Sequence, residues 1–547
     1  MKKYTIGIDF GTLSGRAVLM DTDSGEILSS SVREYAHGVM DRELPTGIKL
    51  PSNTALQHAE DYIDVLRTTV RAVMEEAGVS PEKVVGIGVD FTGCTMLPVD
   101  EDMRPLMFYD EYKNEPHAYV KLWKHTSAQR ESDDINRLAA KRGEEWFPIY
   151  GGKTSPEWMF AKVLQIYREA PEIYEKTDKF LNSADWITYI LTGEVTNSAP
   201  FAGYKELWNA EKGFPSPEFF EALEPSFKNI IGTKICDRIV TLNEVAGYVS
   251  KEASALTGLC AGTPVAAPIL DAHASIPALA LTEEGNMMMI LGTSAVHLIH
   301  SKEKINVAGI CGYVKDGVIP GLYTYEASQA CCGDHLDWFV HNCVPESYTK
   351  EAKAEGISIH KYLREKAKRL AVGESGLLCL DWHNGNRSIL TDSSLTGALF
   401  GMTLRTRPEE IYRAFIEGSI FGARKIFENF EAHGIRARKV VATGGIAEKD
   451  EMFMQICADV LGREITVSNV KMSAAKGSAI CATVAAGLYG GVAEASEALG
   501  VREGKVYTPI PENVEAYNKL YAEYDKLHDY FGRGENDLLK NLKKICN

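Results

Sequence analysis

The sequence predicts an α/β fold made of two related domains, and three observations lead to this prediction. The chain has 547 residues, more than a single hydrophobic core usually organises. Apolar strand patterns alternate with helical patterns along the chain, as they do in α/β proteins. Two strand–turn–strand segments, each with a Gly-Thr turn, stand at Gly11-Thr12 and Gly292-Thr293. This repetition suggests two related halves that close on one ligand.

The first strand–turn–strand segment, residues 4–20, predicts a hairpin that binds a nucleotide phosphate with its Mg²⁺. Glycine lets a backbone approach phosphates closely, turn amides can form an anion nest, and a strand-end carboxylate can hold a hard cation, usually through water. A tight hairpin with an exposed Asp is the simpler alternative. The turn carries the groups this chemistry needs in Asp9, Gly11, Thr12, Ser14 and Arg16.

The glycine spacing of this hairpin differs from the common phosphate loops. The chain has neither G-x-x-x-x-G-K-[ST] nor a G-x-G-x-x-G that follows a strand. Gly7, Gly11 and Gly15 in a strand–turn–strand context instead resemble the first phosphate loop of the actin, Hsp70 and hexokinase superfamily.

Composition narrows the classes of partner. The formal net charge is −16 without a long basic stretch, which argues against a nucleic-acid partner. No apolar run reaches the ~18 residues of a membrane span, and the chain enters a strand without a signal peptide. The eleven cysteines are scattered without C-x-x-C or zinc-type spacing. We therefore expect reduced thiols in the cytoplasm and no structural metal.

The expected elements follow in chain order. Residues 56–77 have helical spacing, and residues 84–89 form an apolar strand that ends at Asp90. A mostly helical insertion covers about 109–214, and the second hairpin covers 287–299. We therefore divide the chain into an N-terminal domain, 1–283, and a C-terminal domain, 284–547.

The C-terminal half predicts a long helix and then a βαβα unit. Pro408 suits the first turn of the helix, and Gly434 suits the position after its last turn. A strand enters the glycine turn 443–445, where an adenosine could lie against bare backbone, although a plain helix-entry turn is an equal alternative. Helix 451–461, strand 464–467 and helix 473–486 complete the unit, and exposed helices are expected beyond Tyr507.

Asp271 is the candidate catalytic base. It closes an apolar strand in the segment Pro268-Ile-Leu-Asp271-Ala-His273. Phosphoryl transfer needs alignment, charge neutralisation and a group that takes the proton of the acceptor hydroxyl, and a carboxylate in a closing cleft suits that task. The alternative is an Asp that caps the next helix. We expect His273 to be structural.

Together these segments resemble the FGGY family of carbohydrate kinases over about residues 3–490. Residues 397–402 (GALFGM) and 410–417 (EIYRAFIE) are similar to its C-terminal signature, although Phe415 replaces a smaller residue. Residues 243–247 (NEVAG) and 258–265 (GLCAGTPV) match another typical stretch.

Within the family, the resemblance is greatest to members that phosphorylate L-ribulose. It lies in residues 88–95 (GVDFTGCT), 117–125 (HAYVKLWKH) and 380–388 (LDWHNGNRS). The family's usual P-x-x-K-L-x-W signature is replaced by 155–159 (SPEWM), as it is in those members.

The resemblance implies an ATP- and Mg²⁺-dependent kinase with two RNase H-like domains and a cleft between them, sugar on the N-terminal side and nucleotide on the C-terminal side. Asp271 would deprotonate the C5 hydroxyl, and Asp9 would organise Mg²⁺. The remaining implied contacts are Gly93, Trp123, Lys205 and Glu326 with the sugar; Gly11, Thr12, Ser14, Arg16 and Thr293 with the phosphates; and Gly333, Gly445 and Lys449 with adenosine. Leu13 stands where the family often has Thr, so a phosphate contact is lost or supplied elsewhere.

Three alternatives stay open at this point. The chain could phosphorylate D-ribulose, xylulose or a polyol such as ribitol. It could be an actin- or Hsp70-like ATP-binding module, although no peptide-binding domain follows the core. It could be an inactive sugar sensor, although Asp9, Asp271 and Thr293 are all present. The oligomeric state is not fixed by the sequence, and a homodimer is open.

Overall fold

The computed structural model describes residues 2–546. The first thirteen strands are β1 Tyr4–Phe10, β2 Ser14–Asp21, β3 Ile27–Glu34, β4 Leu56–Gln57, β5 Val84–Phe91, β6 Met96–Val99, β7 Val120–Lys121, β8 Lys179–Asn182, β9 Asn197–Ser198, β10 Ile239–Val240, β11 Val245–Tyr248, β12 Pro264–Ala266 and β13 Ile269–Leu270. The remaining strands are β14 Asn286–Leu291, β15 Ala295–Ser301, β16 Gly312–Lys315, β17 Tyr323–Gln329, β18 Leu378–Leu380, β19 Ala398–Phe400, β20 Lys439–Thr443, β21 Ile465–Ser468 and β22 Gly504–Tyr507.

Helices connect and cover these strands. The first ten are α1 Ala59–Ala77, α2 Gln129–Arg142, α3 Met159–Glu169, α4 Pro171–Lys176, α5 Ser183–Thr192, α6 Ala199–Lys205, α7 Pro217–Leu223, α8 Ile230–Thr233, α9 Lys251–Thr257 and α10 Asp271–Ala278. The last ten are α11 Asp334–Asn342, α12 Glu346–Ala354, α13 Ile359–Ala367, α14 Pro408–Ala432, α15 Gly445–Lys449, α16 Glu451–Leu461, α17 Ser473–Ala485, α18 Val492–Leu499, α19 Pro511–Gly532 and α20 Leu538–Cys546.

The two large sheets share one strand scheme. The first has the order β11-β12-β5-β1-β2-β3, with β13 also paired to β5, and the second has the order β16-β17-β15-β14-β20-β21-β22. In each, three antiparallel strands (β1-β2-β3 and β14-β15-β17) continue into strands that run parallel to the first of them. The repeated Gly-Thr hairpins are therefore equivalent parts of two similar sheets.

Side-chain alternation along β1 determines what covers each face of the first sheet. Ile6, Ile8 and Phe10 are fully buried in a cluster with apolar residues of α1. On the other face, the Thr5 hydroxyl donates to the carbonyl of Ala479, which belongs to α17. Helix α17 follows β21 of the second sheet, so a helix from the C-terminal half packs on the N-terminal sheet.

Glycine makes this close packing possible. A Cβ atom on Gly7 would lie 1.9 Å from the carbonyl oxygen of Ala475, and one on Gly477 would lie 1.6 Å from the carbonyl oxygen of Ala274 in α10. No side chain fits at either distance. The backbones of β1, α17 and α10 are thus in direct contact where the two halves meet.

Several elements match their sequence predictions. α14 begins at Pro408 and ends just before Gly434, which has a φ of +86°. The βαβα unit consists of β20, α16, β21 and α17, with the short α15 inserted after the glycine turn. Residues 109–214 hold α2–α6 with the short strands β7–β9.

The tail differs from its prediction. The predicted helices are present as α19 and α20, but α19 is exposed on one face only, because its other face buries Tyr517, Tyr521 and Tyr524 against the body of the C-terminal half. The spacing of these tyrosines, four and three residues apart, places them on one face of a helix and could have predicted this burial. Among residues 2–546, no helix combines the length and the apolar character that crossing a bilayer would require.

Candidate active site

Three carboxylates meet at one edge of the first sheet. Asp9 lies directly opposite Asp90 in the parallel pairing of β1 and β5, and Asp271 follows the last residue of β13, which is also parallel to β5. The carboxyl ends of neighbouring parallel strands share one edge, so the three side chains form an oxygen-rich cluster. Such a donor set fits Mg²⁺, and Oδ1 of Asp90 is buried without a hydrogen-bond partner among the described residues.

The environment of the cluster favours protonation. Burial, the charge of Asp9 and a weaker effect of Asp271 raise the pKa of Asp90 well above its ordinary value. Burial, followed by the charge of Asp9, raises the pKa of Asp271 to about 7. Burial also raises the pKa of Asp9, although Arg16 Nη1, 3.5 Å from Asp9 Oδ2, opposes this. A bound cation would relieve this mutual repulsion.

The two predicted phosphate loops are tight turns of similar design. The N–H of Gly11 donates to the carbonyl of Ser14 at 3.0 Å, and the N–H of Gly292 donates to the carbonyl of Ser294 at 3.0 Å. The second turn is shorter by one residue. Arg16 Nη2 donates to Ser14 Oγ at 3.1 Å, which places the predicted guanidinium and hydroxyl on the same side of the first turn.

Of the predicted adenosine residues, Gly333 lies against the second turn, and the residue after Gly445 packs near Gly333. The N–H of Gly333, just before α11, donates to the carbonyl oxygens of Gly292 and Thr293 at 2.9 and 3.0 Å. A Cβ on Gly333 would lie 2.8 Å from the Gly292 oxygen and 3.2 Å from Cδ1 of Ile446, the residue after Gly445. The surroundings of Gly445 are open. Lys449 is exposed at the last position of α15.

The predicted sugar residues Lys205 and Glu326 form a buried ion pair across the two halves. Lys205 Nζ, at the end of α6, lies 3.3 Å from Oε1 of Glu326 on β17 of the second sheet. His273 Nε2 donates to the other oxygen, Oε2, at 2.9 Å. Burial by itself raises the pKa of Glu326, but Lys205 and His273 outweigh it and lower that pKa to about 2. Glu326 is therefore a carboxylate near neutral pH.

Gly93 and Trp123 complete this region. A Cβ on Gly93 would lie 2.4 Å from Cδ2 of Leu270 and 3.7 Å from Cε of Lys205, so Gly93 lies between the strand that precedes Asp271 and the ion pair. Trp123 Nε1 donates to Thr12 Oγ1 at 3.1 Å. This hydrogen bond joins a predicted sugar residue to a predicted phosphate residue.

Two residues of this site, Asp90 and His273, were not predicted from the sequence to bind a ligand or take part in catalysis. The position of Asp90 near the end of an apolar strand, like that of Asp9, could have predicted its place in the site. His273 was expected to be structural, yet its ring contacts the Glu326 carboxylate, and no local pattern reveals that partner. Arg387 Nη2, 3.0 Å from Glu157 Oε1, also joins two of the segments that carried the family resemblance.

Comparisons with solved structures support the fold. A gluconate kinase from Lactobacillus acidophilus superposes with a TM-score of 0.81 at 18% identity, over 98% of this chain and 99% of that chain. A xylulose kinase from the same organism gives 0.80 at 18% identity, over 97% and 99%. The two-domain α/β prediction is confirmed.

Sequence comparisons show the family. Proteins named ribulokinase from Geobacillus thermodenitrificans and Halalkalibacterium halodurans are 48% and 49% identical, each over 99% of this chain and 97% of theirs. One from Mycolicibacterium smegmatis is 44% identical over 99% and 96%. The N-terminal domain model of the FGGY family of carbohydrate kinases matches residues 4–276, and its C-terminal domain model matches residues 287–486. With both domains matched over most of its length, the chain belongs to the FGGY family of carbohydrate kinases.

Proposed function

We propose that this chain is a kinase that transfers the γ-phosphoryl group of ATP to the C5 hydroxyl of L-ribulose. Membership of the family and the name shared by its relatives support a ribulose substrate. The observation that carries the proposal is the position of Asp271 between two different environments. On one side are the carboxylates Asp9 and Asp90, and on the other is the buried pair Lys205–Glu326.

Asp271 acts as the general base. Its pKa of about 7 is close to the pH of the cell interior, where a base balances availability against proton affinity. The C5 oxygen attacks the γ-phosphorus while Asp271 takes the hydroxyl proton. The bond between the γ-phosphorus and the bridging oxygen breaks, and ADP leaves with that oxygen.

The sugar-binding region provides polar groups of both signs. Lys205 donates to hydroxyl or carbonyl oxygens, while the Glu326 carboxylate accepts from hydroxyls. Trp123 and the backbone near Gly93 complete the set. A site of buried polar groups discriminates strongly, since a wrong epimer leaves those groups unpaired. We therefore expect the L configuration to be preferred.

ATP lies between the two turns. Gly11, Thr12, Ser14, Arg16 and Thr293 surround the phosphates, and Gly333, Gly445 and Lys449 border adenosine. Asp9, with Asp90 beside it, would hold Mg²⁺, and the bound ion would supply positive charge that offsets the charge of the phosphates. Closure of the two halves excludes water, which limits hydrolysis of ATP.

Two further expectations concern the cellular location and the oligomeric state of the enzyme. We propose a cytoplasmic location, in keeping with the ten free cysteines of the described residues. A homodimer is the proposed assembly, and sedimentation velocity would measure it.

A coupled ADP-release assay with ATP and Mg²⁺ tests the reaction. The panel contains L-ribulose, D-ribulose, L-xylulose, D-xylulose, ribitol and glycerol. Preference for L-ribulose, including activity on several ketopentoses with L-ribulose best, supports the proposal. Activity only on a polyol or on D-xylulose keeps the mechanism but overturns the substrate. ATP turnover that no sugar stimulates and that yields no phosphorylated sugar would instead favour an ATP-binding module.

A further inference from the structure

A thiol and two imidazole side chains form a group beside the second phosphate turn, apart from the three carboxylates. The thiol of Cys331 and the ring nitrogens of His335 and His383 all lie within 4.8 Å of one another. The Nδ1 atoms of the two histidines are 3.4 Å apart. Cys331 and His335 are buried, and His383 is half-buried, so the group is pre-formed yet reachable from solvent.

The histidine separation matches a tetrahedral metal centre. Zn–N bonds of about 2.0–2.1 Å at a tetrahedral angle place two ligand nitrogens about 3.3 Å apart. A thiol and two imidazoles are the ligands of Zn²⁺ and related transition metals, whereas Mg²⁺ prefers oxygen. The chemistry of this group therefore differs from that of the carboxylate cluster.

Outer contacts hold both rings in place. The hydroxyl of Ser419, on α14, lies 3.0 Å from Nε2 of His335, the ring atom opposite the one that faces His383. Ligating histidines usually have such a partner, which fixes the ring orientation. The ring of His383 packs where a Cβ on Gly397 would lie 2.7 Å from it, so Gly397 leaves room for that ring.

We propose that Cys331, His335 and His383 bind one divalent transition-metal ion of the Zn²⁺ class, with water as a further ligand. The Cys331 thiol loses its proton to solvent, and its sulfur then bonds to the metal.

Backbone hydrogen bonds connect the metal-binding residue Cys331 to the predicted phosphate turn at Thr293. Cys331 is next to Cys332, whose N–H donates to the carbonyl of Thr293, and the N–H of Gly333 donates to the same oxygen. Metal binding fixes this segment and so alters the affinity for ATP. The metal site does not depend on the proposed kinase reaction. Only its effect on ATP affinity rests on that proposed function.

Co²⁺ absorption tests the site in the full-length chain. An exposed thiol, Cys343, could bind metal on its own, so every variant carries Cys343→Ser. We expect one Co²⁺ per chain, a thiolate-to-cobalt charge-transfer band in the near ultraviolet, and the intense visible bands of tetrahedral Co²⁺. Zn²⁺ added in equal amount displaces the Co²⁺ and removes both sets of bands.

Single substitutions then identify the ligands. Cys331→Ala removes the charge-transfer band, and His383→Ala weakens Co²⁺ binding by at least ~100-fold, more than the loss of an outer partner costs. Cys332→Ala, which removes the neighbouring buried thiol, leaves both properties unchanged. Circular dichroism establishes that each variant is folded. The proposal fails if the chain that carries Cys343→Ser alone shows no charge-transfer band, or if the further substitution Cys331→Ala retains that band.

Discussion

The hydroxyl of Ser478, in the middle of α17, donates to Oδ2 of Asp90 at 2.6 Å. Ser478 follows the second sheet in the chain, whereas Asp90 lies at the end of a strand in the first sheet. Both groups are fully buried. This hydrogen bond therefore ties the carboxylate cluster of the N-terminal half to a helix of the C-terminal half.

Removal of this hydroxyl should weaken both the fold and the site. Ser478→Ala removes the hydrogen bond to the buried Oδ2 of Asp90, and the loss of a partner for a buried acceptor costs about 1–3 kcal/mol of unfolding free energy. Denaturant unfolding measures this loss, and the ADP-release assay measures the accompanying fall in turnover. Thr483→Val is the matched control, because the buried Thr483 hydroxyl donates to the carbonyl of Ile480 in its own helix and not to the carboxylate cluster. Equal effects of both substitutions would contradict a special role for Ser478.

Asp271→Asn should keep ATP binding nearly intact and lower turnover at least ~10²-fold, since the amide cannot accept the hydroxyl proton. Single-turnover kinetics and nucleotide titration separate the two quantities. Asp110→Asn, at an exposed carboxylate, is the control. Near-normal turnover of the Asp271 variant would remove this residue from the role of base.

The pKa of Asp271 predicts opposite pH responses of activity and stability. The base works when deprotonated, so kcat/KM should rise as pH increases through about 7. An unfolded Asp ionises near pH ~3.9, so the folded state holds the extra proton between that pH and 7, and this group lowers stability as pH rises through that window. Asp271→Asn should therefore raise Tm at pH 8 by ~2 °C or more and change it less at pH 4. A larger gain at pH 4 would refute this account.

Glu326→Gln should affect sugar use more than ATP use. It removes the charge that pairs with Lys205 and accepts from His273, and a charged hydrogen bond contributes ~1.5–3 kcal/mol, or roughly 10–100-fold in KM for the sugar. Initial-rate kinetics with each substrate varied in turn measure the split. Glu303→Gln is the control, because Glu303 is exposed in the loop between β15 and β16 of the same sheet. Equal losses for sugar and ATP would indicate misfolding or a wrong assignment.

Two glycine substitutions should separate fold from site. Gly477→Ala places a Cβ against the Ala274 carbonyl oxygen, so we expect little folded protein. Gly445→Ala meets open space, so Tm should be unchanged while KM for ATP rises. Expression yield, thermal unfolding and kinetics test the pair. A stable Gly477→Ala protein would contradict the close packing of α17 on α10.

Most of the elements and several site residues could be predicted from local sequence. Apolar patterning identified the two hairpins and α1, and Pro408 with Gly434 marked the ends of α14, because such signals depend only on residues near one another in the chain. The strand-end residues Asp9 and Asp271 stood out for the same reason. The tail was misjudged, because its polar composition hid the aromatic row that α19 buries.

By itself, the sequence determined the α/β class, the repeated Gly-Thr turns, the candidate base and the family. The tertiary structure alone decided which distant residues meet. It packed α17 on the first sheet, paired Lys205 with Glu326 from the other half, and gathered Cys331, His335 and His383 without a metal-type spacing. The physical reason is that a local pattern specifies which face of an element is buried, whereas close packing of whole elements selects its partner.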